Sequence, residues 1–133
     1  MRAAVESAAG VAVVDLAEDE IVEHDVSIEV VPAAVALALP LLVAADRHGA
    51  TIVALVERRP PLLISHDAGA TWREAGVGLP RGYAVAIAPT HPDMILYASR
   101  SRLHLSRDGG RFWHALTTEF EEIRAIAWLD PAP

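Results

Sequence analysis

Carboxylates and imidazoles are the side chains with which this chain could do chemistry. It carries eighteen Asp and Glu, six His and eleven basic residues, giving a net charge of −7, and it has no Cys. A pair of carboxyls hydrolyses a glycoside only when the two face each other across the scissile bond. The acidic groups here are Glu18-Asp19-Glu20 and Glu119, Glu121 and Glu122, sequence neighbours that read as solvated loop charges. A zinc site would show histidines at H-x-x-x-H or H-E-x-x-H spacing, or thiolates beside them, and neither occurs. Without Cys there is no disulfide and no thiolate ligand. His48 and His91 fall at equivalent turns and could form a polar rim, while His104 alternates with Leu103 and Leu105 and points to the opposite face of a strand. A glycine-rich phosphate loop, a nucleotide fingerprint and a Ser-His-Asp context are all missing from the sequence. We therefore expect a non-enzymatic protein with no catalytic, cofactor-binding or metal-binding residue.

The most organised stretch is Ser65-His66-Asp67-Ala68-Gly69-Ala70-Thr71-Trp72, which reads S-x-D-x-G-x-T-W. A second copy lies 41 residues on, at Ser106, Asp108, Gly110, Phe112 and Trp113, with Phe112 in the place of Thr71. Gly two residues after Asp suits a tight turn with φ > 0, and the Asp carboxylate can accept hydrogen bonds from the N–H groups of that turn. Thr71 or Phe112 would then open a strand, with the Trp as its apolar anchor. His66 and Arg107 occupy the variable position of each turn. The pattern resembles the Asp-box, or BNR repeat, of sialidase-type and sortilin-type β-propellers. That resemblance implies a propeller in which the boxes sit on the outer part of a blade and serve structure. The resembled sialidases act through an arginine cluster, a Tyr–Glu nucleophile pair and an acidic proton donor spread over a whole ring. Tyr83 and Tyr97 lack that sequence context here, so no sialidase activity is expected.

A period near 41 points to a repeat architecture. A shift of 42 sets His24-Asp25 on His66-Asp67 and Val11–Val14 on Val53–Val56, which suggests a first, decayed copy lacking the Gly and Trp. The units then run over about 1–40, 41–80 and 81–121. Strand-length apolar runs bounded by turn residues fill the later two. They are Leu41–Ala45, Ile52–Val56, Leu62–Ser65 and Thr71–Ala75, then Tyr83–Ala88, Met94–Ser99, Leu103–Ser106 and Phe112–Leu116. Their first turns would be Asp46-Arg47-His48-Gly49 and Pro89-Thr90-His91-Pro92-Asp93. The expected fold is all-β and propeller-like, one domain of three four-stranded blades, the first decayed, plus an extra C-terminal strand over 122–129. That strand carries Ile123, Ala125, Ile126, Ala127 and Trp128 and aligns with Gly82–Ile87. Met1–Val5 reads as a poor first strand, which suggests a blade sewn from both ends. Because three blades are too few to close a ring, the C-terminal strand is expected to cross to another chain and complete its first blade beside Val11–Val14.

Composition narrows the partners. The chain is 53% hydrophobic but only 5% aromatic, so its core must be built from Ala, Val and Leu. An acidic balance argues against nucleic acid. The apolar run Val30–Ala45 is too short to span a membrane and is interrupted by Pro32 and Pro40, which reads as two buried strands with a turn between them. No signal peptide is evident, and a cytoplasmic location is the expectation. Three blades cannot close a ring alone. The expectation is a homodimer closing a six-bladed ring, or docking in a larger complex, with a glycan-binding lectin as the alternative.

Overall fold

The computed structural model describes residues 1–33 and 35–129, and within them there are twelve strands and no helix. They are β1 (Arg2–Ser7), β2 (Gly10–Asp15), β3 (Glu20–Glu23), β4 (Leu42–His48), β5 (Thr51–Val56), β6 (Leu62–Ser65), β7 (Arg73–Ala75), β8 (Gly82–Ala88), β9 (His91–Ser99), β10 (Arg102–Ser106), β11 (His114–Glu119) and β12 (Ile123–Leu129). All pair antiparallel, in three four-stranded sheets. Sheet I has the order β12-β1-β2-β3, sheet II β4-β5-β6-β7 and sheet III β8-β9-β10-β11.

Sheet III lies between the other two, and this explains why its strands read as unbroken apolar runs rather than as alternating ones. Ala84, Ala86, Leu96 and Ala98 turn one way and pack with Ala3, Val5, Val14, Ile123 and Ile126 of sheet I. Their neighbours Val85, Ile87, Ile95 and Tyr97 turn the other way and pack with Val53, Leu55, Leu62 and Ile64 of sheet II. β8 runs beside both β4 and β12, the first strands of the flanking sheets. Its backbone is held from both sides. Asp46 Oδ2 accepts the Ile87 N–H at 2.7 Å, and the Trp128 indole N–H donates to the Ala86 carbonyl at 3.0 Å. Tyr97 is fully buried and donates its hydroxyl to the Pro80 carbonyl at 2.5 Å. The space it fills exists because residue 82 is Gly: a Cβ there would stand 2.4 Å from the phenol ring.

Several expectations need correction. The N-terminal segment is a well-paired strand, with Ala3, Ala4 and Val5 at most 1% exposed. β12 does not leave the chain. It pairs with β1 along its whole length, from Arg2↔Leu129 to Ser7↔Ile123, and not beside Val11–Val14. Ala3 and Val5 fill narrow space between sheets I and III, and Ala4 packs under Val30 on the other face. Because β12 stands first in sheet I, β2 takes the place of β6 and β10, so the 42-residue shift that laid Val11–Val14 on Val53–Val56 is off by one strand. The described residues of Val30–Ala45 hold only the start of β4 and not two strands. Among them Val30 packs on Ala4 and Ala125, while Val31 is 68% exposed. Pro32 and Pro40 each remove a donor that a strand would need. β4 extends through Asp46, Arg47 and His48, so the turn there is Gly49-Ala50, and β9 already begins at His91, leaving Pro89-Thr90 as its turn.

Candidate functional site

The two repeated turns join the third and fourth strands of sheets II and III, at the same end of the molecule. Ser65 ends β6 with 1% exposure. Its hydroxyl donates to Asp67 Oδ1 at 2.7 Å while accepting the Gly69 N–H at 2.8 Å. Asp67 in turn accepts the Thr71 N–H at 2.8 Å and the Thr71 hydroxyl at 2.5 Å. The Thr71 hydroxyl bond, then its N–H and Ser65, hold this carboxyl down to about 2. The second turn repeats the plan. Ser106 is fully buried, donates to Asp108 at 2.9 Å and accepts the Gly110 N–H at 2.8 Å. Asp108 accepts the N–H groups of Phe112 at 3.0 Å and Arg111 at 3.1 Å, the first of these chiefly lowering its pKa.

The chain reverses through left-handed residues in both turns, Ala68 at φ 58° and Gly69 at 93°, then Gly109 at 75° and Gly110 at 90°. Gly110 also meets the neighbouring sheet, since a Cβ there would stand 2.4 Å from Ile64 Cδ1. Thr71 and Phe112 do not open strands as expected. Both lie ahead of β7 and β11, and the Phe112 ring is 79% exposed, because the carboxylate captures the backbone N–H of this position and keeps it in the turn. Trp72 and Trp113 are half-buried. Trp113 donates its indole N–H to the Gly110 carbonyl at 3.1 Å and meets Tyr97 edge-on at 5.9 Å. Arg73 bridges the two turns by donating to the Gly109 carbonyl at 2.5 Å.

A third turn in the same place, between β2 and β3, carries no such motif. Asp15 ends β2 as Ser65 ends β6, and its Oδ1 accepts the Glu18 N–H at 3.0 Å and the Ala17 N–H at 2.9 Å, the former chiefly lowering its pKa. Asp19, at φ 55°, accepts the Thr117 N–H of sheet III at 2.8 Å. Desolvation raises its pKa, but the Thr117 bonds outweigh this and leave it lowered. The one sequence signal for this turn is an acidic residue directly after an apolar run. His24-Asp25, aligned with the box by the 42-residue shift, instead follows β3.

As to chemistry, the turn carboxylates are ionised acceptors whose oxygens already hold hydrogen bonds, an arrangement suited to fixing a turn and poor for taking a proton. Among the described residues, no three His, Asp or Glu side chains are grouped to hold a metal ion. His48, His66, His91 and His114 are exposed at the end where the turns lie. His104 is 8% exposed, edge-on to Tyr97 at 5.8 Å, with its Nε2 buried and unpartnered, and burial lowers its pKa. The β12 residues divide between two faces: Ile123, Ile126 and Trp128 pack toward sheet III, while Ala125 and Ala127 pack with Ala4 and Val30. A cleft of about 290 Å³ opens at the start of β4 and β8, where Arg81 pairs with Glu57. A cup of about 310 Å³ opens at the opposite end, against Trp128. No protein-family model, no curated protein and no solved structure matches this chain.

Proposed function

We propose that the chain is a non-enzymatic interaction module of β-propeller type, each of its sheets one blade, which closes a six-bladed ring with a second copy of itself. The observation that carries this reading is the stacking order. Sheet III is covered on both sides, while sheets I and II each meet a neighbouring sheet on one side only, with β4, β8 and β12 adjacent as first strands. Repeats of this kind bury their faces against one another, and the outer face of sheet I, which Val30 covers only in part through Ala4 and Ala125, leaves room for a further layer. Exposed apolar side chains lie at the start of β4 and in the stretch before it: Val43 is 44% exposed, Leu41 60% and Val31 68%. A two-fold axis makes both junctions alike. Since β12 stays with its own β1, the second copy would offer a sheet face and not a strand. The filled turn carboxylates favour a structural role over a catalytic one.

Light scattering on the purified chain tests this. The expected result is twice the chain mass, falling to the single mass in a Leu41→Glu, Val43→Glu variant that keeps its strand signal in circular dichroism. A well-folded monomer at every concentration would overturn the reading.

A further inference from the structure

The cup beside Trp128 is an apolar space that the turns and the sheet packing leave unused. Its walls come from three separate stretches: Met1 before β1, Ala88, Pro89 and Met94 around the β8–β9 turn, and Trp128 and Leu129 at the end of β12. A volume of about 310 Å³ falls at the lower end of the range of small-ligand pockets, roughly 300–1,000 Å³. The Trp128 ring cannot swing in to fill the space, because its N–H is tied to the Ala86 carbonyl at 3.0 Å. Half-buried, it leaves part of its surface open to the cup. The two methionines are flexible and polarisable, and suit the edge of a flat apolar body.

Among the described residues, the polar side chains that line the cup are few. They are Thr90, His91 and Arg107, with the Thr90 hydroxyl 3.1 Å from His91 Nδ1. Arg107 is exposed, and no carboxylate among the described residues pairs with it. It occupies the variable position of the second repeated turn, so the turn that fixes Asp108 also delivers a guanidinium to the cup. A second depression, of about 380 Å³, continues past Arg107 toward Asp93. Asp93 repels an anion from the far side and leaves the Arg107 side as the place for negative charge.

We propose that this cup binds a small amphipathic anion: a flat apolar body seated against Trp128, Met94 and Met1, and a single carboxylate or phosphate received by Arg107. A guanidinium meets either group with charge-assisted, paired hydrogen bonds, so both belong to one ligand chemistry. A free sugar fits less well. Its hydroxyls need partners all round, and among the described residues the cup offers only Thr90, His91 and Arg107 as polar side chains. Binding in the cup does not depend on the oligomeric state.

The test titrates the full chain with 2-naphthoate, 2-naphthyl phosphate and neutral 2-naphthalenemethanol, following heat and the indole N–H resonance of Trp128, assigned with Trp128→Phe. The expected result is saturable one-to-one binding of at least one anion, with a shift of that resonance. The ranking of carboxylate against phosphate then identifies the natural head group. Arg107→Gln, at an exposed position, should weaken the anions about tenfold or more, as the loss of a charge-assisted pair implies, and leave the neutral alcohol unchanged. Ala88→Phe, which fills the cup, should abolish all binding, and if it fails to fold the Arg107 variant alone decides the outcome. The proposal is overturned if no naphthyl probe moves the Trp128 resonance, or if Arg107→Gln weakens neutral and anionic probes alike. It is also overturned if methyl glycosides shift the resonance where naphthoate does not.

Discussion

His104 is the polar side chain for which this interior has least use. Its ring is buried against Tyr97 and its Nε2 has no partner, so charging it on folding is costly. The lowered pKa fixes the sign: the unfolded chain takes up the proton first, at its ordinary value of 6.5. Stability is therefore complete above about pH 6.5 and is lost as the pH falls from there toward the folded-state value. We expect His104→Phe to flatten the stability profile between about pH 7 and pH 5, and to raise stability by about 1 kcal/mol at neutral pH by removing an unsatisfied group. Urea melts at several pH values check this, and an unchanged slope would point to another histidine. Asp67 sets a second and lower window. Its carboxyl is held to about 2 against an ordinary 3.8, so its contribution is present above about pH 4 and lost as the pH falls toward about 2. Asp67→Asn should shrink that acid limb, to which the lowered carboxyls of Asp15, Asp19 and Asp108 also contribute, and leave the His104 limb in place. Both residues were partly legible in the sequence. The box spacing gave Asp67 its turn, and alternation put His104 on the face opposite Leu103 and Leu105. An inter-blade place and a surface place both stayed open for it, because a strand's pattern does not say whether a second sheet covers that face, and the structure shows the buried one. Asp15 and Asp19 hold a similar turn without Ser or Gly, so no motif marked them.

The elements were legible where turn chemistry framed them and misread where it did not. Sheets II and III each contain a Ser-Asp-Gly turn, and their strands fall within a few residues of the apolar runs that predict them. Sheet I lacks that mark. Its partner strands are also the most distant in the sequence, and pairing across such separation leaves no local trace. The alanine-rich stretch before β4 had the hydrophobicity of strands, but its prolines withhold the donors a ladder needs. The turns themselves offer a matched pair of tests. Gly110→Ala must take on φ near 90° and drive a methyl into Ile64 of the next sheet, and should cost about 2–4 kcal/mol. Ala68→Gly acts in the opposite sense at φ 58°. It relieves roughly 1–2 kcal/mol of left-handed strain at some cost in chain entropy, so a gain of about 0.5–1 kcal/mol is expected. Thermal melts of the two variants should move in opposite directions. A loss in both would mean that the left-handed conformation at Ala68 is not the strained one.

At the scale of the whole molecule, the first and last strands share one sheet, so the chain is closed by its own ends. β12 runs beside β8 and joins Ala3, Val5 and Val14 in packing sheet I on sheet III, by way of Ile123, Ile126 and Trp128. Burying the two isoleucines alone contributes about 1.5–3 kcal/mol each, before the backbone pairing to β1 is counted. A domain of this kind has about 5–15 kcal/mol of net stability in all. Removing residues 123–133 should therefore unfold sheet I and not merely separate one folded copy from another. The expected outcome is rapid hydrogen exchange throughout Arg2–Asp15 and a loss of cooperativity in the melt, whereas sheets II and III, which share Val53, Leu55, Ile87 and Tyr97, keep slow-exchanging amides. A synthetic peptide of residues 121–133 added in trans should bind the truncated chain and restore slow exchange in Arg2–Ser7, because the edge it would occupy on β1 is otherwise vacant. Slow exchange in β1 without the peptide would show that β12 is dispensable, and the closure of the chain by its ends would then contribute nothing to its stability.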